Sequence, residues 1–308
     1  MACDLSIIIV NWNTRDLLHS CLSSIYKFVS ADISHEVFVV DNASEDGSAD
    51  MVRGLFPSVN LIANNSNVGF VAANNQASRI ARGKYLLIQN SDTEFRREGI
   101  EDIIKYLDEN KDVGIATAWM EYKDGTFQPP YRRFPSIWNV FATQTIGRLK
   151  DKLVPGRSKF KCAGLDPNQI HDVDWVTGAY LFLRRDMLDD GDVFDKDIFM
   201  YFEDLLLCLR VKREGFRVVY LPYGSVAHFC GKSAKKVRPK AVLYSYKSSL
   251  VYIERLKGCN AVRLYRAATR FSWRLLIALL YPLQLVSRRA VRTKIDLFIF
   301  LLAEDNKQ

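Results

Sequence analysis

The sequence predicts an α/β fold built on a mostly parallel sheet flanked by helices. Three observations point there: short apolar runs alternate with amphipathic helical segments, polar residues gather repeatedly where these runs end, and the 308-residue chain is 48% hydrophobic, ample for a buried core. Leu5-Ser6-Ile7-Ile8-Ile9-Val10 reads as a buried strand that stops at the polar turn Asn11-Trp12-Asn13-Thr14. Leu17, Cys21 and Ile25, with Leu18 and Leu22 beside them, then mark one face of a helix. Val37 to Val40 is the next strand, ending at Asp41-Asn42 before the acidic, glycine-containing loop Ser44 to Ser48. Strand, helix, strand is a βαβ unit.

The alternation continues. Asn60-Leu61-Ile62 is strand-like, and Asn64 to Phe70 leads into an Ala- and Asn-rich helix through Ala81. Lys84 to Gln89 is a strand ending in Asn90-Ser91-Asp92; Ile100, Ile103, Ile104 and Leu107 mark a helix, and Val113 to Ala118 a strand. Residues 121–172 lose periodicity and contain Gln128-Pro129-Pro130-Tyr131-Arg132-Arg133-Phe134-Pro135, which reads as an insertion or substrate loop. Trp175 to Arg184 and Phe216 to Leu221 read as strands, and from Tyr244 the chain reads as helix. The expected organisation is a catalytic domain over residues 1–240 and a helical extension over 241–308. Polar residues collect where strands end, and in open parallel sheets that carboxyl edge is where ligands bind.

Charge is uneven. Of 43 Lys and Arg, 21 fall from Leu205 onward, against 5 of the 35 Asp and Glu, so a basic C-terminal part follows an acidic one. The cations interleave with long aliphatic runs rather than stacking aromatics, which favours an anionic membrane surface over nucleic acid. The six cysteines are scattered, with neither a C-x-x-C pair nor framework spacing, and read as reduced thiols in a cytoplasmic protein. The N-terminal run Ile7 to Val10 is too short for a signal peptide or a spanning helix.

Chemistry gathers at three places. Glu203-Asp204 follows an aromatic run (Phe199, Tyr201, Phe202), where desolvation and mutual repulsion raise a carboxyl's proton affinity, as a general base needs; the same acids also suit a helix N-terminus. Asp41 and Asp92 each end a strand. One such acid can accept from a ribose or base, another can hold a divalent ion on a diphosphate, and together they describe a nucleotide-diphosphate site. His228, in Val226-Ala227-His228-Phe229-Cys230-Gly231-Lys232-Ser233, can serve the same metal or the leaving phosphate, with Lys232 supplying charge. Gly231-Lys232-Ser233 is not a P-loop, because Val226 stands where its first glycine belongs.

Taken in order, Val10-Asn11-Trp12-Asn13, Val40-Asp41-Asn42-Ala43-Ser44, Asn67-Val68-Gly69-Phe70, Asn90-Ser91-Asp92, Thr177-Gly178-Ala179, Phe202-Glu203-Asp204 and the His228 to Ser233 segment resemble the family 2 inverting glycosyltransferases. Their rhamnosyltransferase-like branch is the most similar. The resemblance spans roughly residues 5–235 and rests on order and spacing. It implies a GT-A fold, a Rossmann-like mixed sheet binding a nucleotide sugar with Mg²⁺ or Mn²⁺. By position, Asn11 and Asp41 would line the base and ribose pocket, and Asn67 and Gly69 would lie near the ribose and diphosphate. Asn90 and Lys232 would serve the donor, and Thr177 and Gly178 would border the donor sugar or acceptor. Asp92 would be the metal carboxylate, with His228 beside it, and Asp204, supported by Glu203, the base. Two positions depart from the family: Asn90-Ser91 replaces an acid or proline in the metal element, and Leu206 stands where another Asp is common.

The tail segment Phe271 to Val286 is apolar, interrupted by Arg274 and Pro282, and flanked by Arg263, Arg266, Arg270, Arg288, Arg289, Arg292 and Lys294. Such a helix suits the headgroup region of an anionic membrane, the alternative being a core or oligomer helix. The expected protein is a cytoplasmic inverting glycosyltransferase, peripheral on the inner face of the membrane. It would move L-rhamnose from dTDP-rhamnose onto a glycan or polyprenyl-linked glycan in cell-surface polysaccharide synthesis. A UDP-hexose donor, or a catalytically silent family member that binds membrane or a partner, remain the competing expectations.

Overall fold

A computed structural model describes residues 3–145, 164–188, 190–229, 238–282 and 288–306. These residues belong to two compact units, Met1–Phe134 with Lys161–Lys236, and Pro135–Phe160 with Val237–Gln308.

In the first unit, β1 (Leu5–Asn11), α1 (Arg15–Phe28), β2 (His35–Asp41), α2 (Ser48–Leu55), β3 (Asn60–Ala63), α3 (Phe70–Ser78) and β4 (Tyr85–Asn90) form the parallel half of the sheet. Next come β5 (Thr93–Arg97), α4 (Ile100–Glu109), β6 (Val113–Thr117), β7 (Met120–Glu121) and β8 (Tyr131–Arg132). After α5 (Ile137–Gln144), which belongs to the second unit, the first resumes with β9 (His171–Asp172), β10 (Trp175–Val176) and β11 (Tyr180–Arg184). It closes with α6 (Glu203–Arg213), β12 (Arg217–Tyr220) and β13 (Ser225–His228). The main sheet runs β3-β2-β1-β4-β11-β6-β12-β9. Within it β11 is antiparallel to both β4 and β6, and β9 is antiparallel to β12, so the sheet is mixed and mostly parallel as expected.

Both faces of this sheet are covered, which is why β1 reads as an unbroken apolar run rather than an alternation. Leu5, Ile7 and Ile9 pack with Leu18, Cys21, Leu22 and Ile25 of α1 and with Ile103 and Leu107 of α4. Ile8, between them, is equally buried and faces the opposite way, the side on which α3 packs against β1 and β2.

Several expectations shift in detail. The run Trp175 to Arg184 is not one strand: Thr177-Gly178-Ala179 breaks it, and its halves join different sheets, β10 with β8 and β11 with β4. Helix α2 and strand β5 lie where the sequence reading assigns no element; β5 pairs with β13, which also pairs with β7. The low-periodicity stretch 121–172 contributes β8 and β9 to the first unit and α5 to the second.

The second unit joins α5 to α7 (Arg238–Lys257), α8 (Cys259–Leu280) and α9 (Arg288–Asp305). Fully buried Trp273 centres it, donating Nε1–H to the Gln144 carbonyl at 3.0 Å and meeting Tyr246 edge-on. Arg266 and Arg270 both pair with buried Asp305 within this helical unit.

Candidate active site

The site grows from the carboxyl edge of the sheet. Asn11 and Asp41 end β1 and β2 directly opposite one another, and Asn90 ends β4 beside Val10. Asn11 is fully buried. Its Nδ2 donates to Asp41 Oδ1 at 2.8 Å and to Ser44 Oγ at 3.2 Å, and its Oδ1 accepts from Thr14 Oγ1 at 2.6 Å. Thr14 Oγ1 lies 2.9 Å from Ser91 Oγ. One buried chain of hydrogen bonds therefore runs from Asp41 to the residue before Asp92. Asp41 also accepts from the Ser44 N–H at 2.9 Å, a bond that fixes a turn with Ala43 left-handed at φ 59°. Sequence reasoning singled out Asn11 and Asp41 but gave Thr14, Ser44 and Ser91 no role in the site; each lies in one of the polar segments that end β1, β2 and β4, and that was the signal for them.

Asn67 and Gly69 sit at the start of α3. Asn67 Oδ1 accepts the Gly69 N–H at 3.0 Å, and the Gly69 carbonyl accepts Asn42 Nδ2 at 3.2 Å, which ties this loop to the end of β2. The first amides of α3 are not open donors: the Phe199 carbonyl accepts the Phe70 N–H at 3.0 Å.

Asp92 and His228 meet across the β5–β13 ladder, where Thr93 pairs with His228 and the Phe229 N–H donates to the Asp92 carbonyl at 2.9 Å. His228 Nε2 lies 3.4 Å from Asp92 Oδ1, both side chains being largely buried. No group of three or more metal-ligating side chains occurs among the described residues. One carboxylate and one imidazole still fit a divalent ion that keeps most of its positions for water and donor phosphates, as Mg²⁺ does in phosphate-transfer sites. Lys232 lies outside the described residues.

The remaining residues converge because β11 runs antiparallel to β4. Its start therefore lies at the same edge, where the Asn90 N–H donates to the Ala179 carbonyl at 3.2 Å. Thr177 is anchored through its N–H to the Pro130 carbonyl at 2.8 Å, and the Gly178 N–H donates to Asp204 Oδ2 at 3.0 Å. Glu203 and Asp204 open α6 after two left-handed aromatics, Tyr201 at φ 70° and Phe202 at φ 66°. Each costs on the order of 1–2 kcal/mol, a strain that aims the acids. Leu206, where the family often has an acid, is buried with Leu205 and Leu207.

The two carboxyls differ. Burial raises the proton affinity of both. Asp204 is eased back by the Gly178 and Leu205 N–H groups and by the Arg132 guanidinium. Glu203 is pushed up to about 8 by burial and then by the charge of Asp204, and its Oε2 has no hydrogen-bond partner among the described residues. Of the two, Glu203 is held more strongly in its protonated form, and Asp204 is the better stabilised as an anion.

A mixed sheet of this topology, with acids and amides collected at its carboxyl edge, defines a GT-A glycosyltransferase. The chain belongs to glycosyl transferase family 2, whose model matches residues 6–167. It is 24% identical over 307 residues to the N-acetylglucosaminyl-diphospho-decaprenol L-rhamnosyltransferase of Mycobacterium tuberculosis, covering 95% of this chain and 97% of that one. It is 25% identical over 257 residues to the rhamnosyltransferase WbbL of Escherichia coli, covering 81% and 92% respectively. It is thus rhamnosyltransferase-like. Among solved structures it resembles the mannosyltransferase PcManGT of Pyrobaculum calidifontis in complex with GDP-Man and Mn²⁺ (TM-score 0.52, 17% identity, 100% of this chain and 87% of that one). It also resembles GalNAc-T7 with UDP, GalNAc and Mn²⁺ (TM-score 0.57, 12% identity, 94% and 58%). At those identities the likeness concerns the fold alone.

Proposed function

We propose that this protein transfers L-rhamnose from dTDP-rhamnose, with inversion, to a hydroxyl of a polyprenyl-linked glycan at the inner face of the membrane. The observation behind the chemistry is the Gly178–Asp204 hydrogen bond, which sets the Asp204 carboxyl group beside the end of β4. The sugar and acceptor classes draw support from the two rhamnosyltransferases, one of them named for a sugar on diphospho-decaprenol.

Asp204 accepts the proton of the acceptor hydroxyl as that oxygen bonds to the anomeric carbon, and the bond from that carbon to the diphosphate breaks on the opposite face. One displacement inverts the centre and needs no enzyme nucleophile. Neutral Glu203 spares Asp204 a second adjacent charge. Asn11, Thr14 and Ser44 hold Asp41 against the nucleoside, with Asn67, Gly69 and Asn90 along the donor and Thr177 and Gly178 by the transferred sugar. Lys232 is assigned to the leaving diphosphate. Asp92 and His228 would hold Mg²⁺ or Mn²⁺, and its charge would stabilise the departing diphosphate.

Membrane attachment is assigned to α8. Leu264, Phe271, Leu275 and Leu279, spaced by seven, four and four residues, form an apolar stripe 48–74% exposed, beside exposed Arg263 and Arg274. No described helix is long and apolar enough to cross a membrane. Aliphatic side chains flanked by cations are complementary to an anionic bilayer surface. Nucleotide release from a panel of nucleotide sugars, with a polyprenyl-diphosphate-linked acceptor and Mg²⁺ or Mn²⁺, tests the activity. Turnover of dTDP-rhamnose is expected, whereas turnover of UDP-hexoses alone overturns the donor assignment.

A further inference from the structure

The Asp92–His228 pair has a neighbour whose chemistry matters to it. Gln128 follows the hairpin after β7, its N–H donating to the Met120 carbonyl at 2.9 Å, and β7 lies parallel to β13. This places Gln128 Nε2 3.3 Å from His228 Nδ1, on the opposite side of the ring from Nε2, which faces Asp92 at 3.4 Å.

A neutral imidazole has one N–H donor and one acceptor nitrogen. When the Gln128 amide donates to Nδ1, the ring proton sits on Nε2 and points at Asp92, an arrangement that closes the pair without metal. To offer its Nε2 lone pair to a cation, the ring must carry its proton on Nδ1, and a partner there must accept it. Gln128 does so by turning its amide half a revolution and presenting Oε1. The proton changes nitrogens, and the ring's charge is unchanged. Glutamine, unlike a hydrocarbon or a carboxylate, satisfies both tautomers. Partners of this kind orient ligating histidines and raise their basicity.

We propose that Gln128 is a positioning residue that sets the tautomer of His228 and thereby the protein's affinity for Mn²⁺ or Mg²⁺. The inference rests on the metal reading of Asp92 and His228. The test is Mn²⁺ binding to the full chain, followed by the paramagnetic signal of free Mn²⁺ with dTDP present, together with ¹⁵N shifts of the His228 ring without metal. Gln128→Met should weaken Mn²⁺ binding about 10- to 100-fold. It should leave dTDP binding without metal unchanged. Gln128→Glu, which accepts but does not donate, should retain Mn²⁺ and place a proton on Nδ1 in the metal-free protein. Unchanged Mn²⁺ affinity in Gln128→Met, with affinity lost in Asp92→Ala and His228→Ala, overturns the inference and leaves the metal reading standing. Unchanged affinity in all three removes both.

Discussion

Gly178 donates its backbone N–H to Oδ2 of Asp204, 26 residues further along the chain, at 3.0 Å. The bond couples the break between β10 and β11 to the first turn of α6. It fixes a carboxylate where β4 ends, because the next residue, Ala179, accepts from the Asn90 N–H. Asp204→Asn keeps an oxygen able to accept from Gly178 but removes the basic one. Transfer should fall by about 10²- to 10⁴-fold, with the melting temperature nearly unchanged. Steady-state nucleotide release and a thermal melt read the two effects; full activity would remove Asp204 as the base.

Gly69 is required by packing. Its backbone lies at φ 93°, and a Cβ there would come within 2.6 Å of Phe199 Cδ2, on the loop that caps α3 and leads to Glu203. Gly69→Ala should destabilise the first unit by about 1–3 kcal/mol through overpacking. Urea denaturation measures it, and an unshifted midpoint would mean that Phe199 yields freely.

Much of this was legible in the sequence, for definite reasons. Strands buried on both faces appear as unbroken apolar runs, and Asn and Asp at their ends mark the carboxyl edge, so Asn11, Asp41 and Asn90 could be found without coordinates. Strand β5 was hidden because Thr93–Arg97 carries Glu94, Arg96 and Arg97, and only its ladder with β13 makes it a strand. Gln128 was hidden because its contact with His228 spans 100 residues, beyond any local pattern. Arg266 and Arg270 read as membrane cations because Asp305, their partner, lies 35 or more residues away.

Glu203 predicts how stability changes with pH. Its carboxyl titrates near 4.5 when solvated and at about 8 in the fold. Between those values the unfolded chain has released a proton that the folded protein retains, so rising pH favours unfolding across that window and has no further effect above it. Glu203→Gln removes this dependence. The melting temperature of the wild type should drop more between pH 5 and pH 8 than that of the variant, and parallel profiles would show that Glu203 ionises freely.

The proposed attachment through α8 predicts different roles for residues that are neighbours in its sequence. Arg266 and Arg270 are engaged by Asp305, so their replacement should loosen the helical unit, whereas Phe271 and Leu275 are exposed and contribute little to its core. Burying a side chain of that size in an apolar phase is worth about 1.5–3 kcal/mol. Phe271→Glu should therefore weaken sedimentation with phosphatidylglycerol vesicles by at least tenfold, without lowering the melting temperature or the rate on a water-soluble acceptor. Phosphatidylcholine vesicles should bind the wild type more weakly, because Arg263 and Arg274 then lack anionic partners. If Phe271→Glu leaves vesicle binding intact but changes the sedimentation coefficient of the protein alone, the stripe joins two copies of the chain instead.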